Sequence, residues 1–266
     1  MSARLCAFVG GVSLIGPGLG GWPGAEQVLR GLAPYRAEAT VLPIPMNLPP
    51  AERRRAGRII KLAIALGSEA AGAADLDPRT LLSVFASSGG DGENCHEICQ
   101  TLASGDRLLS PTRFHHSVHN VPAGYWSIAM NAMVASTAVS AYDESFSVGL
   151  LEALTQVTVY SQPVLLVAYD TGYPPPLNQK RPIPDALGVA LALTPSRGPH
   201  SLARITAGLS EGVADRLENP QLETLRTLAP AGRALPLLVR IARRDAGTTH
   251  IDYLAPGTLA IEVSPC

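Results

Sequence analysis

Asp143, Glu144 and Ser145 follow a run of small and β-branched residues (133–140) and precede an apolar segment that ends near Thr155. That order reads as buried strand, sharp turn and helix. A side chain at such a turn sits at a helix N-terminus, where free backbone N–H groups and the positive end of the dipole favour an anion or a thiolate. Many nucleophilic enzymes keep their nucleophile there; this chain keeps an aspartate. A carboxylate in that field is favoured as the anion and attacks acyl groups poorly. Ser145 and Ser147 are replacement nucleophiles by type, but neither has a G-x-S-x-G context or evident acid and histidine partners. Asp143 and Glu144 also read as helix-capping residues.

A second group of reactive side chains lies upstream. Cys95 and Cys99 stand at i and i+4 of a helical pattern, and His115, His116 and His119 follow about twenty residues on. Two thiols on one helix face with two of these imidazoles could surround zinc. The short Cys-x-x-Cys knuckle is missing, so the expectation is no metal and two small cysteines buried on an amphipathic helix. A third candidate is the stretch IGPGLGG, where Gly16, Gly18 and Gly21 have the spacing of a dinucleotide fingerprint and Glu38 lies about twenty residues on. Pro17 and Pro23 remove backbone donors that phosphate contacts would need, and the loop is too long to open a helix directly. We read it as a glycine-rich connection and expect no cofactor.

The elements that must hold these groups alternate. Strands are expected at residues 5–12, 82–86, 133–140, 164–169, 186–193 and 258–263, and helices at 25–32, 51–71, 121–130, 221–228 and 234–244, with a further helix carrying the two cysteines. The alternation argues for one α/β domain. Arg53, Arg54, Arg55, Arg58 and Lys61 fall in the first turns of the 51–71 helix, where each cation opposes the dipole by about 0.3–1 kcal/mol at an exposed site. They form either a solvated face or a docking patch for an acidic protein. The proline-rich stretch 170–184 is long enough to be a lid or contact surface.

Charge excludes other classes. With 21 Lys and Arg against 22 Asp and Glu in 266 residues, there is no global field for nucleic acid or an anionic membrane. Four scattered cysteines form no disulfide framework, which fits the cytosol. No run approaches the roughly 20 apolar residues of a membrane span, and the glycine-rich start reads as strand and loop rather than a signal peptide.

Five stretches, in one order, carry a family resemblance: RRRAGRIIKLAIALGSEAA at 53–71, VFASSGGDGENCHEICQTL at 84–102, LSPTRFHHSVHNVPAGYWSI at 109–128, AVSAYDESFSVGLLEAL at 138–154 and VLLVAYD at 164–170. Together they resemble the β-ketoacyl synthases, and most closely the shortened synthase-like chain length factors of aryl polyene pathways. The resemblance implies a thiolase-like layered fold with an abbreviated C-terminal half: a single domain over 1–266, with a core at 1–195 and a short remainder at 196–266. It places Asp143 at or beside the position of the synthase cysteine, and no cysteine lies between Cys99 and Cys266. The stretch 117–124 is similar to a segment lining the synthase pocket and dimer seam, which makes His119 and Asn120 pocket or interface residues, or else turn and cap groups. Phe114, Tyr125 and Trp126 become the bulky candidates for shaping a product tunnel, and Arg53, Arg54 and Arg55 a docking patch for an acyl carrier protein. After Ser196 only His200 and His250 remain, and neither matches a synthase histidine motif.

These features imply a non-catalytic partner of a catalytic ketosynthase, working as a cytoplasmic heterodimer with an acyl carrier protein nearby. The alternative is a divergent acyltransferase or β-ketoacyl synthase acting on carrier thioesters through Ser145 or Cys95. A nucleotide-dependent oxidoreductase built on the glycine loop is the third reading.

Overall fold

In the computed structural model, residues 5–105 and 107–266 are described. The first strand, β1 (Leu5–Gly16), runs four residues beyond the expected end because Leu14 and Ile15 are buried too. Gly18, at φ 69°, turns the chain into the short β2 (Leu19–Gly20) and on to α1 (Trp22–Leu29). The expected long helix is two helices, α2 (Pro50–Arg55) and α3 (Arg58–Ala73), because Ala56 and Gly57 adopt extended backbone between them. Glycine is a poor helix former, and Ala56 leaves the helix to enter the core. Arg53, Arg54 and Arg55 therefore lie in the last turn of α2, where the dipole favours them. For these three residues this corrects the expectation of a frustrated helix start, whereas Arg58 and Lys61 do stand in the first turn of α3.

The chain continues through β3 (Leu82–Ala86), α4 (Gly92–Ala103), α5 (Pro111–His115), α6 (Val121–Met130) and β4 (Ser136–Val139). A 3-10 turn at Tyr142–Glu144 leads into α7 (Ser145–Tyr160), then β5 (Val164–Asp170), β6 (Leu187–Thr194) and β7 (Ala203–Ser210). Finally come α8 (Pro220–Leu228), α9 (Leu235–Arg243), β8 (Gly247–Asp252) and β9 (Thr258–Pro265). Among the described residues, nine strands form one sheet of order β4-β3-β5-β6-β1-β7-β9-β8, with β2 on β1. The β4, β3 and β5 ladders are parallel and the others antiparallel.

Helices cover both faces. One core joins α1, α7, α8 and α9 to the sheet, and the other joins α3 and α6. Gly67 of α3 lets the second layer close: a Cβ there would stand 2.6 Å from the Trp126 ring of α6. Trp126 in turn packs against Phe85, whose ring meets Tyr169 at 6.3 Å. The two edges of the sheet differ. At β8, His250 is closed on its outer side by Asp215, whose N–H donates to the His250 carbonyl at 2.9 Å and whose carboxylate accepts from the His250 N–H at 3.2 Å. The Ser147 hydroxyl donates to the Asp252 carbonyl. Among the described residues no backbone hydrogen bond reaches the outer edge of β4. β4 is also shorter than the expected 133–140 strand and is exposed rather than buried; its small residues suit an uncovered edge as well as a core.

Candidate functional site

The strand-turn-helix elbow is present, and its geometry is specific. Tyr142 has φ 52°, a left-handed conformation that costs a bulky residue on the order of 1–3 kcal/mol. Its ring is exposed, and the Arg181 guanidinium lies 3.7 Å above it. The same guanidinium donates to Asp143 Oδ1 at 2.8 Å, while Arg233 approaches Oδ2 at 3.9 Å. Arg233 also pairs with Asp252 at 3.3 Å, and Asp252 with Arg226 at 3.0 Å. Arg226, which is buried, completes the chain with two hydrogen bonds to Glu223. Asp143 is thus the first link of an ionic network running into α8 and β8. Ser145 is buried; its Oγ accepts from the Ala141 N–H at 3.0 Å and donates to the Tyr142 carbonyl at 2.8 Å. That hydroxyl closes the turn and has no histidine or acid partner in it.

Beside the elbow stands the 87–90 loop, held by Asp170 at the end of β5. The Asp170 carboxylate is buried and accepts from the Ser88 N–H at 2.8 Å and the Ser88 hydroxyl at 2.7 Å. Burial pushes its pKa up to about 6, against the pull of the Ser88 and Ala231 hydrogen bonds and the charge of Arg181. His119 joins the same loop, with Nε2 3.0 Å from the Ser87 carbonyl oxygen. Tyr173 lies over Gly89 and Gly92, where a Cβ would meet its side chain at 1.9 and 2.3 Å respectively. The proline-rich stretch therefore packs onto the loop as a fixed strap.

A profile for the β-ketoacyl synthase N-terminal domain matches residues 28–243. The chain belongs to that family. Among curated proteins none matches the sequence. Three solved structures carry the same fold. A complex of the ketosynthase ApeO with its chain length factor ApeC from Xenorhabdus doucetiae aligns with TM-score 0.73 and 22% identity, over 97% of this chain and 99% of the other. AntDE:AntF, a type II polyketide synthase acyl carrier protein in complex with its ketosynthase bound to the hexaketide, aligns with TM-score 0.75 and 12% identity, over 99% and 100%. A β-ketoacyl synthase from Burkholderia phymatum STM815 gives TM-score 0.59 and 15% identity, over 92% of this chain and 71% of that synthase. The thiolase-like layered fold implied by the motifs is therefore shown.

Within this synthase-type fold the remaining sequence candidates disperse. Tyr125 is buried, donating its hydroxyl to Glu52 Oε2 at 2.9 Å and standing 2.8 Å from His116 Nε2. Burial, aided by Glu52, raises the phenol to about 12, and burial followed by the His115 charge lowers His116. Phe114 and Asn120 are exposed, and Asn120 makes no side-chain cap bond to α6. Arg53, Arg54 and Arg55 are on the surface, with Arg55 paired to Glu52 at 3.2 Å. Cys95 and Cys99 are exposed, correcting the expectation of burial: α4 buries only Gly92 and Asn94. No cluster of three His, Cys, Asp or Glu suited to a metal occurs among the described residues. Nor is any described helix long and apolar enough to cross a membrane.

The glycine loop has its own anion. Glu69 of α3 accepts from the Trp22 N–H at 2.7 Å and from the Ser13 hydroxyl, so a carboxylate already occupies the N-terminus of α1. Sequence reasoning missed Asp170, Arg181, Arg233 and Tyr142. An acid ending the wholly apolar VLLVAYD strand was the available signal for Asp170. The arginines, distant in sequence from the elbow, gave none.

Proposed function

We propose that this chain is a non-catalytic, ketosynthase-like partner, a chain length factor, for a catalytic β-ketoacyl-carrier-protein synthase in polyketide or fatty-acid-type biosynthesis of the aryl polyene kind. The elbow carries the reading. Where an acyl-transfer enzyme needs a free nucleophile, this chain has a tyrosine stacked under a guanidinium and an aspartate bonded by that same arginine. Ser145, the alternative nucleophile, has its hydroxyl engaged inside the turn.

The open edge of β4 supports pairing with the synthase, as do exposed apolar side chains on the segments leading to it, Leu102, Phe114, Ile128 and Met133. An unpaired strand edge is a template for a strand of another chain, and apolar surface of this kind marks an interface. Arg53, Arg54 and Arg55 supply a cationic surface for the acidic carrier protein. His119 and Asn120 would stand at the pocket or seam, and Phe114 and Tyr125 would bound the tunnel. The heterodimer would work in the cytoplasm.

Three measurements test this. Tagged chain, purified from cells that also express the ketosynthase of its own gene neighbourhood, should retain that synthase in equal amount. Incubated alone with acyl-carrier thioesters, it should show no acyl adduct by intact mass. A stable acyl adduct on the isolated chain would replace the proposal with an independent acyltransferase. Exchanging Phe114 for alanine should change product length in the reconstituted pair.

A further inference from the structure

Cys95 and Cys99 lie one turn apart on α4, both open to solvent. The helix buries only Gly92 and Asn94, and both thiols lie on its exposed surface. The start of the helix is fixed, since the Asp91 side chain caps the Asn94 N–H at 3.0 Å and Asn94 reaches the Arg113 carbonyl at 2.9 Å. Two thiols are thereby presented at a set spacing.

Spacing decides what this pair can do. Positions i and i+4 of a helix hold their Cβ atoms about 5–6 Å apart, whereas a disulfide requires about 3.5–4.5 Å. Direct oxidation would have to distort α4, but an atom inserted between the sulfurs would not. Among the described residues no third His, Cys, Asp or Glu joins the pair, so they supply two ligands where a structural tetrahedral zinc site takes four. Two thiolates alone suit a soft ion content with two ligands, and monovalent copper prefers such sulfur donors.

We propose that Cys95 and Cys99 form a two-thiolate clamp for a monovalent copper ion. Binding displaces one proton from each thiol and forms two Cu–S bonds, with no change of oxidation state. The clamp belongs to α4 and does not depend on the pairing reading above. Its remaining relatives in the chain, Cys6 beside Arg204 and Cys266 at the far strand end, provide internal controls.

The test is anaerobic competition between the full chain and a chromophoric copper(I) chelator, using copper(I) itself. The expected result is one ion per chain, at least tenfold weaker retention in both Cys95→Ser and Cys99→Ser, and unchanged retention in a Cys6→Ser, Cys266→Ser variant. Cys95, Cys99 and Cys266 are exposed and Cys6 is half-buried, so the variants are expected to fold, which circular dichroism would verify. A second probe, phenylarsine oxide, should add once across the two thiols with loss of water. Failure of the wild-type chain to compete for copper(I), or retention of the ion by either single variant, would overturn the clamp.

Discussion

Asp170→Asn gives the sharpest test of the site's electrostatics. Asp170 has a folded-state pKa of about 6 against an ordinary 3.8, because burial outweighs its hydrogen bonds. A carboxyl with a raised folded pKa leaves stability intact below the unfolded pKa and removes it as pH rises through the folded one. At 1.36 kcal/mol per pKa unit, the linkage places the wild-type penalty at about 1 kcal/mol at pH 4.5 and about 3 kcal/mol at pH 7.5. Asparagine carries no such penalty. Its oxygen can still accept from Ser88, but its amide nitrogen gives up one acceptor, a loss of about 1 kcal/mol that is independent of pH. The variant should therefore gain about 2 kcal/mol relative to wild type between pH 4.5 and 7.5. Urea unfolding of both proteins across that range measures the difference, and groups common to both cancel. Parallel stability curves would show that Asp170 is not the buried, costly carboxylate described here.

Three further outcomes are expected. Arg226→Met breaks a buried arginine's contacts with Glu223 and Asp252, and the carboxylates left behind should lower stability by about 3 kcal/mol, read from the urea midpoint. Met133→Asp changes a side chain that is 94% exposed, so stability should stay within about 0.5 kcal/mol while recovery of the co-expressed ketosynthase falls at least tenfold; undiminished recovery would move the interface away from β4. Reversing Arg53, Arg54 and Arg55 to glutamate should weaken carrier-protein binding most strongly at low salt, because exposed charges are screened as ionic strength rises, and calorimetry at two salt concentrations would decide it.

The sequence exposed the strands that form the centre of the sheet, since fully apolar runs such as VLLVAYD have few other uses. It concealed β7 and β8, whose alternating burial leaves ARITAGLS and GTTHID with few apolar residues to signal a strand. The elbow was legible as a place, from the change of pattern around Asp143. Its wiring was not: Arg181 and Arg233 reach Asp143 from 38 and 90 positions away along the chain, and only folding brings them there. The cysteines failed for another reason. Their helical spacing was right, but amphipathic patterning reports that a face is apolar, not that this chain covers it. The glycine loop mimicked a nucleotide site because the same close turn serves Glu69 as would serve a phosphate.

The unequal sheet edges give strand addition a direction. An edge that accepts a strand can, in principle, be extended indefinitely if the newcomer offers the same kind of edge on its far side. This chain resists such growth at β8, because Asp215 holds the His250 amide and carbonyl and Ser147 holds the Asp252 carbonyl. It can end a stack but cannot continue one. A molecule built this way is a terminator: a strand added at β4 meets a chain whose far edge is capped, so excess copies would compete for that one place and would not polymerise through β8.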